Sequence, residues 1–199
     1  MKTREKTKWI GLVLLMSLAL EPLALGDDKA VSDPVSEWQE AAFNYEYAAD
    51  AQESAAESVL EQADDVRNTF QEDVAKTRRN KVQSGNLQLR AADLILAAST
   101  NLDNAARVWR QAASVTGRET AAGQYFVAAG QAATTKSMGF VRRSVDLCEQ
   151  AAVVFAEEDE FLSQAGANQK AAGLRERLAK RKAPFQEVGK QDGSKADIP

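Results

Sequence analysis

Residues 118–165 read RETAAGQYFVAAGQAATTKSMGFVRRSVDLCEQAAVVFAEEDEFLSQA, and a small residue recurs along them at nearly every seventh position. The series is Gly123, Gly130, Ser137, Ser144, Ala151 and, after a break at Glu158, Ala165. Three residues behind each comes a partner: Phe126, Ala133, Phe140, Leu147, Val154, Phe161. Spacings of three and four in alternation place both sets on one helix face, with the 3.5-residue period of a supercoiled bundle. Glycines inside such a helix cost about 1 kcal/mol each against alanine, so Gly123, Gly130 and Gly139 imply close approach of a neighbouring backbone. The four acids 157–160 oppose the helix dipole and predict a break or kink near Ala156.

The same grammar runs upstream. Ala42, Ala49, Ala56 and Ala63 are seven apart, with Trp38, Tyr45, Gln52, Val59 and Val66 on the adjacent line. Asp33-Pro34 supplies a cap and a first helical residue. A first helix over 34–83 is predicted, stopped by Ser84-Gly85-Asn86 with Gly85 as a left-handed cap. In a second helix, 86–115, Ala91, Ala98, Ala105 and Ala112 interleave with Leu87, Leu94, Leu102 and Trp109. After the central helix, Gly166-Ala167-Asn168 reads as a turn. A short fourth helix over 169–182 carries six bases against Glu176 alone, and Ala183-Pro184 ends it. Strand-like alternation never persists beyond a few positions. The expected fold is all-α: an antiparallel bundle of three long alanine-rich, heptad-patterned helices plus a short basic fourth. The bundle domain occupies 34–183, between a polar lead (27–33) and a disordered tail (184–199).

Residues 1–26 read as an export signal. Lys2, Arg4, Lys6 and Lys8 precede a twelve-residue weakly polar-to-apolar run, 9–20, which Glu21-Pro22 breaks before the small residues around Gly26. A spanning helix needs roughly 20 apolar residues, so cleavage is expected and the mature chain has no transmembrane span. Loss of four bases and two acids takes the net charge from −4 to −6. Acids crowd residues 27–73 and bases the remainder, which predicts docking of the basic fourth helix on the acidic first.

Absences limit the chemistry. The chain has no histidine, which removes Ser–His and Cys–His nucleophiles, histidine-ligated metals and the di-iron bundles. The single cysteine, Cys148, sits on the apolar seam and reads as a buried thiol. Asp64-Asp65, Glu72-Asp73 and 157–160 are sequence neighbours pointing to different faces, which makes poor acid/base dyads. No calcium loop or phosphate-binding glycine loop is present. Catalytic, cofactor and metal residues are therefore all expected to be absent. The alanine seam resembles the alanine zippers of small envelope lipoproteins, whose lipid-bearing cysteine has no counterpart here. Such seams recur in unrelated helical proteins, so the resemblance implies no function.

The functional expectation is an exported, non-catalytic protein of the cell envelope or periplasm with a structural or protein-interaction role. The rival reading is a small-ligand-binding bundle with its pocket around Trp109, Tyr125 and Phe126. At about 1.5 Å per residue the first and central helices would span ~75 and ~72 Å and the second only ~45 Å. That mismatch would leave Trp38, Tyr45, Val154 and Phe161 overhanging as contacts for a protein partner or for self-association. Arg175, Arg177, Lys180 and Arg181 are the matching candidates for an envelope polyanion; an exported acidic chain without aromatic platforms is not expected to bind nucleic acid.

Overall fold

The structure, a computed structural model, describes residues 33–69 and 73–191, with side chains as far as Arg181. The export-signal reading of 1–26 lies outside the described residues, as does the end of the tail, 192–199. Four helices follow one another: α1 Pro34–Asn68, α2 Val74–Thr116, α3 Ala121–Glu157 and α4 Phe161–Gln191. They form an antiparallel all-α bundle in which α2 packs against α1 and α3, and α4 packs against α3. Among the described residues no helix is long and apolar enough to cross a membrane.

Each helix begins and ends for a local chemical reason. Asp33 caps α1 by accepting the Val35 N–H at 3.1 Å, with Pro34 as the first helical residue. Thr120 caps α3 by accepting the Gly123 N–H at 3.0 Å. The preceding Gly117 sits at φ 83°, which closes α2 where a side chain would be strained. At the other end of α3, Asp159 adopts φ 57° while Glu160 N–H bonds Phe155 O at 2.9 Å and Asp159 N–H bonds Ala156 O at 3.3 Å. That pair of bonds is the Schellman arrangement, and it makes the expected break near Ala156 a true helix end. Two bases from the first turns of α2 neutralise the acids there. Lys81 pairs with Glu158 at 2.6 Å and Arg78 with Glu160 at 3.6 Å, and Arg78 also donates to the Glu158 carbonyl at 2.5 Å.

The junction of the first two helices and both ends of the fourth differ from expectation. The first helix stops at Asn68 rather than 83, because Thr69 turns extended and Asp73 starts a new helix by accepting the Ala75 N–H at 2.9 Å. Gly85 is therefore no cap. It lies buried inside α2, where a Cβ would meet the Phe155 ring at 2.9 Å, so the glycine makes room for that ring. The fourth helix likewise starts at Phe161 and runs to Gln191, through both Gly166-Ala167-Asn168 and Ala183-Pro184. Ala167 is buried with Ala171 and Leu174 on the stripe facing the bundle, which carries the helix through the expected turn.

The seams are where the pattern placed them. Gly123, Gly130, Ser137, Ser144 and Ala151 are buried, as are Phe126, Ala133, Phe140, Leu147 and Val154. All eight alanines of the two upstream series are buried too. Close approach holds at Gly130, where a Cβ would lie 3.3 Å from both Ala106 O and Trp109 Cβ. At Gly123 the near neighbour is the turn: the Cβ position is 2.0 Å from Gly117 O. Gly139 has nothing within 4 Å, and close approach does not account for it.

Candidate binding cleft between the first and third helices

Because α2 lies between α1 and α3, the two flanking helices leave a cleft of about 500 Å³ whose floor α2 supplies. One end is aromatic. The Trp109 indole, buried on α2, stacks on Phe126 with centroids 5.6 Å apart. It meets Phe43 edge-on at 5.2 Å and Tyr125 edge-on at 6.1 Å. Its Nε1–H donates to Glu46 Oε1 at 2.8 Å, which gives the buried indole the partner it needs. Phe43 (51% exposed) and Tyr125 (55%) turn their rings to solvent at this end, and Tyr47 (78%), one turn along α1, is exposed outside the cleft lining.

The other end is ionic. Lys136 of α3 reaches Asp50 at 2.7 Å and Glu53 at 3.7 Å across the cleft, and its Nζ lies 5.4 Å from the centre of the Phe140 ring. Its hydrogen bond to Asp50 raises the ammonium pKa above the ordinary lysine value, which favours the charged form. Arg143 continues the clasp to Glu53 at 3.4 Å and Glu57 at 3.6 Å. Between the two ends the α3 wall is alanine: Ala128, Ala129, Ala132 and Ala133. The cleft is thus apolar and aromatic at one end, and its α1 wall is acidic.

A polar knot joins α2, α3 and α4 elsewhere in the bundle. Ser137 donates to Asp103 Oδ1 at 2.6 Å and accepts from Arg181 Nη1 at 3.0 Å, with Ser99 Oγ 3.0 Å away. Arg181 also pairs with Asp103 Oδ2, and Arg177 reaches the same oxygen at 3.4 Å. Asp103→Ala removes the one carboxylate that Arg177 and Arg181 share, while Ser137 keeps Ser99 O as an acceptor at 3.0 Å. An expected loss of about 2 kcal/mol in urea unfolding follows, below the figure for a fully buried pair because both groups keep some solvent. Asp103→Asn, which retains an acceptor, should lose clearly less.

The basic fourth helix does not dock on α1. Arg177 and Arg181 go to Asp103, Lys170 to Asp93 at 2.5 Å, Arg175 to Glu149, and Lys180 to Glu176 within α4 at 2.8 Å. The acids of α1 are met by Lys136 and Arg143 of α3 instead, because α3 is the helix that faces α1 across the cleft. The overhang argument also loses its basis. With 35, 43 and 37 residues, α1, α2 and α3 span ~52, ~64 and ~55 Å, so α2 is the longest. Trp38 and Tyr45 pack, half-buried, on the cluster around Trp109, and Val154 is buried. Phe161 alone of the four overhang candidates is exposed, beside exposed Leu162.

Sequence reasoning found Trp109, Tyr125 and Phe126 as one locality, although Phe126 lies under the indole and does not line the cleft. It missed Phe43, Glu46, Asp50 and Lys136. Phe43 and Tyr47 sit four apart on α1, off the alanine line, and that spacing was the available signal. Cys148 is buried, and burial pushes its thiol pKa up, which keeps it protonated and unreactive. Among the described residues no three acidic or cysteine side chains gather as a metal site. No protein-family model, curated protein or solved structure matches the chain.

Proposed function

We propose that this chain is an exported, non-catalytic interaction protein of the cell envelope or periplasm, and that the α1–α3 cleft receives a basic, apolar-faced segment of a protein partner. The observation that carries the reading is the exposure of Phe43 and Tyr125 in the cleft, beside Glu46 and Asp50 of α1. Exposed aromatic rings held on rigid helices are the residues that anchor protein interfaces, and the cleft lining, Glu46 and Asp50 against Lys136, stays net acidic after its own ion pair, which favours a basic partner. Within Pro34–Asn68 there are nine acids and one base, Arg67. The alanine wall lets another backbone approach closely. The reading of 1–26 as an export signal supports the location.

Capture from envelope extracts on immobilised chain lacking residues 1–26 tests this. A partner held by the wild type, released by added salt and lost with Phe43→Ser/Tyr125→Ser is expected, since exposed pairs are screened by salt. Identical capture by wild type and double variant, or native protein found only in the cytosol on fractionation, would overturn the reading.

A further inference from the structure

The opposite face of α3 borders a second groove, about 660 Å³, which α2 and α3 form between them. We propose that the closing turns of α4, residues 185–191, seat on this groove as a strap, with Phe185 and Val188 turned into it and Glu187 paired with Arg110. The groove is walled by Arg110 and Ala113 of α2 and, on α3, by a run from Met138 back through Gly130 to Val127. The Thr134 hydroxyl in that run is turned back to Gly130 O at 2.8 Å, so the residue offers chiefly its methyl group. The described side chains of α4 end at Arg181, but its backbone goes on as helix to Gln191.

Register names the occupant. Ala167 clusters with Ala151, and Arg181 donates to Ser137 at 3.0 Å, so fourteen residues forward along α4 match fourteen back along α3. Continued at that rate, residues 180–191 of α4 pass the α3 residues from Met138 to Val127, which is the whole of that wall. Val188 comes level with Gly130, and Phe185 falls between Gly130 and Ser137. The stripe that faces the bundle leads to the same two residues. Ala167, Ala171 and Leu174 are buried on it, Leu178 packs against the core and Arg181 enters the polar knot, in alternating steps of four and three. The next two steps are Phe185 and Val188.

Charge agrees. Helix α4 runs parallel to α2, with Lys170 on Asp93 and Arg181 on Asp103. Glu187 follows Lys170 by seventeen residues, as Arg110 follows Asp93. Arg110 makes no ion pair with a described residue, and its Nε–H, donated to Ala106 O at 3.0 Å, leaves both terminal nitrogens to donate. Helix beyond Pro184 also needs outside support. The proline withholds the hydrogen bond due to the Lys180 carbonyl, and the residues after it are too few to hold a helix alone. Packing on the groove supplies what the local sequence lacks.

Amide hydrogen exchange on the chain lacking residues 1–26 reads the strap directly. Amides 186–191 should exchange about a hundredfold slower than in Phe185→Ser/Val188→Ser, the scale of burying two apolar side chains, while amides 165–178 stay equally protected in both. Arg110→Glu should also loosen 186–191, and Glu187→Arg added to that variant should restore their protection. The proposal fails if 186–191 of the wild type exchange as fast as an unfolded chain, or if the double serine variant protects them as well as the wild type does. It fails also if Glu187→Arg leaves the Arg110→Glu variant as loose as before. The Phe43→Ser/Tyr125→Ser variant should leave 186–191 unchanged, so this result and the partner-capture result are independent.

Discussion

Trp109→Ala should lower the unfolding free energy by about 3–5 kcal/mol, enough to bring a domain of ordinary stability to the edge of unfolding. The indole is 1% exposed and is the largest fully buried side chain among the described residues. Its removal from a core otherwise rich in alanine leaves a cavity that small neighbours cannot fill by relaxing. Three aromatic contacts and the hydrogen bond to Glu46 go with it. Urea unfolding followed by far-UV circular dichroism reads the loss. Trp38→Ala, at a half-buried position on the same cluster, should cost markedly less. Equal losses would mean that the cluster around Trp109 does not hold this end of the bundle together.

Gly130→Leu and Ala105→Leu should each destabilise by about 1–3 kcal/mol, the usual cost of overpacking. At residue 130 even the first added carbon meets Ala106 O and Trp109 Cβ at 3.3 Å, and both belong to α2. The gain in helix propensity from replacing glycine, about 1 kcal/mol, offsets part of this cost. Ala105 has no exposed surface, whereas Ala51 faces solvent on α1. Ala51→Leu should therefore change the melting temperature little. Tolerance at all three positions would show that the helix axes can separate without loss, which removes the argument for close packing.

The burial pattern was legible because it depends on local periodicity. Ten seam residues of α3 and two alanine series upstream lie on the faces that their spacing assigned. What periodicity cannot tell is which neighbour a face will meet. Gly85 looked like a cap because glycine commonly is one, yet a ring 70 positions away in the chain explains it. Asp73 looked like part of an acidic pair, although its carboxylate starts a helix. The total charges of the first and fourth helices suggested a pairing that the order of helices in space does not allow. The cleft was half legible for the same reason: Trp109 and Tyr125 follow from one hairpin, but Phe43, Glu46 and Asp50 arrive from another.

That order of helices has a kinetic meaning. The dominant contacts join α1 to α2, α2 to α3 and α3 to α4, each to its successor in the chain. Each pair closes over a connection of only a few residues, 69–73, 117–120 and 158–160, so the entropy lost in closing loops stays near its minimum. Topologies of this kind have low contact order, and low contact order goes with rapid folding. None of the dominant pairings requires α1 to find α4. The chain can therefore grow hairpin by hairpin from its amino-terminal end, each new helix meeting a surface that the one before it has already set.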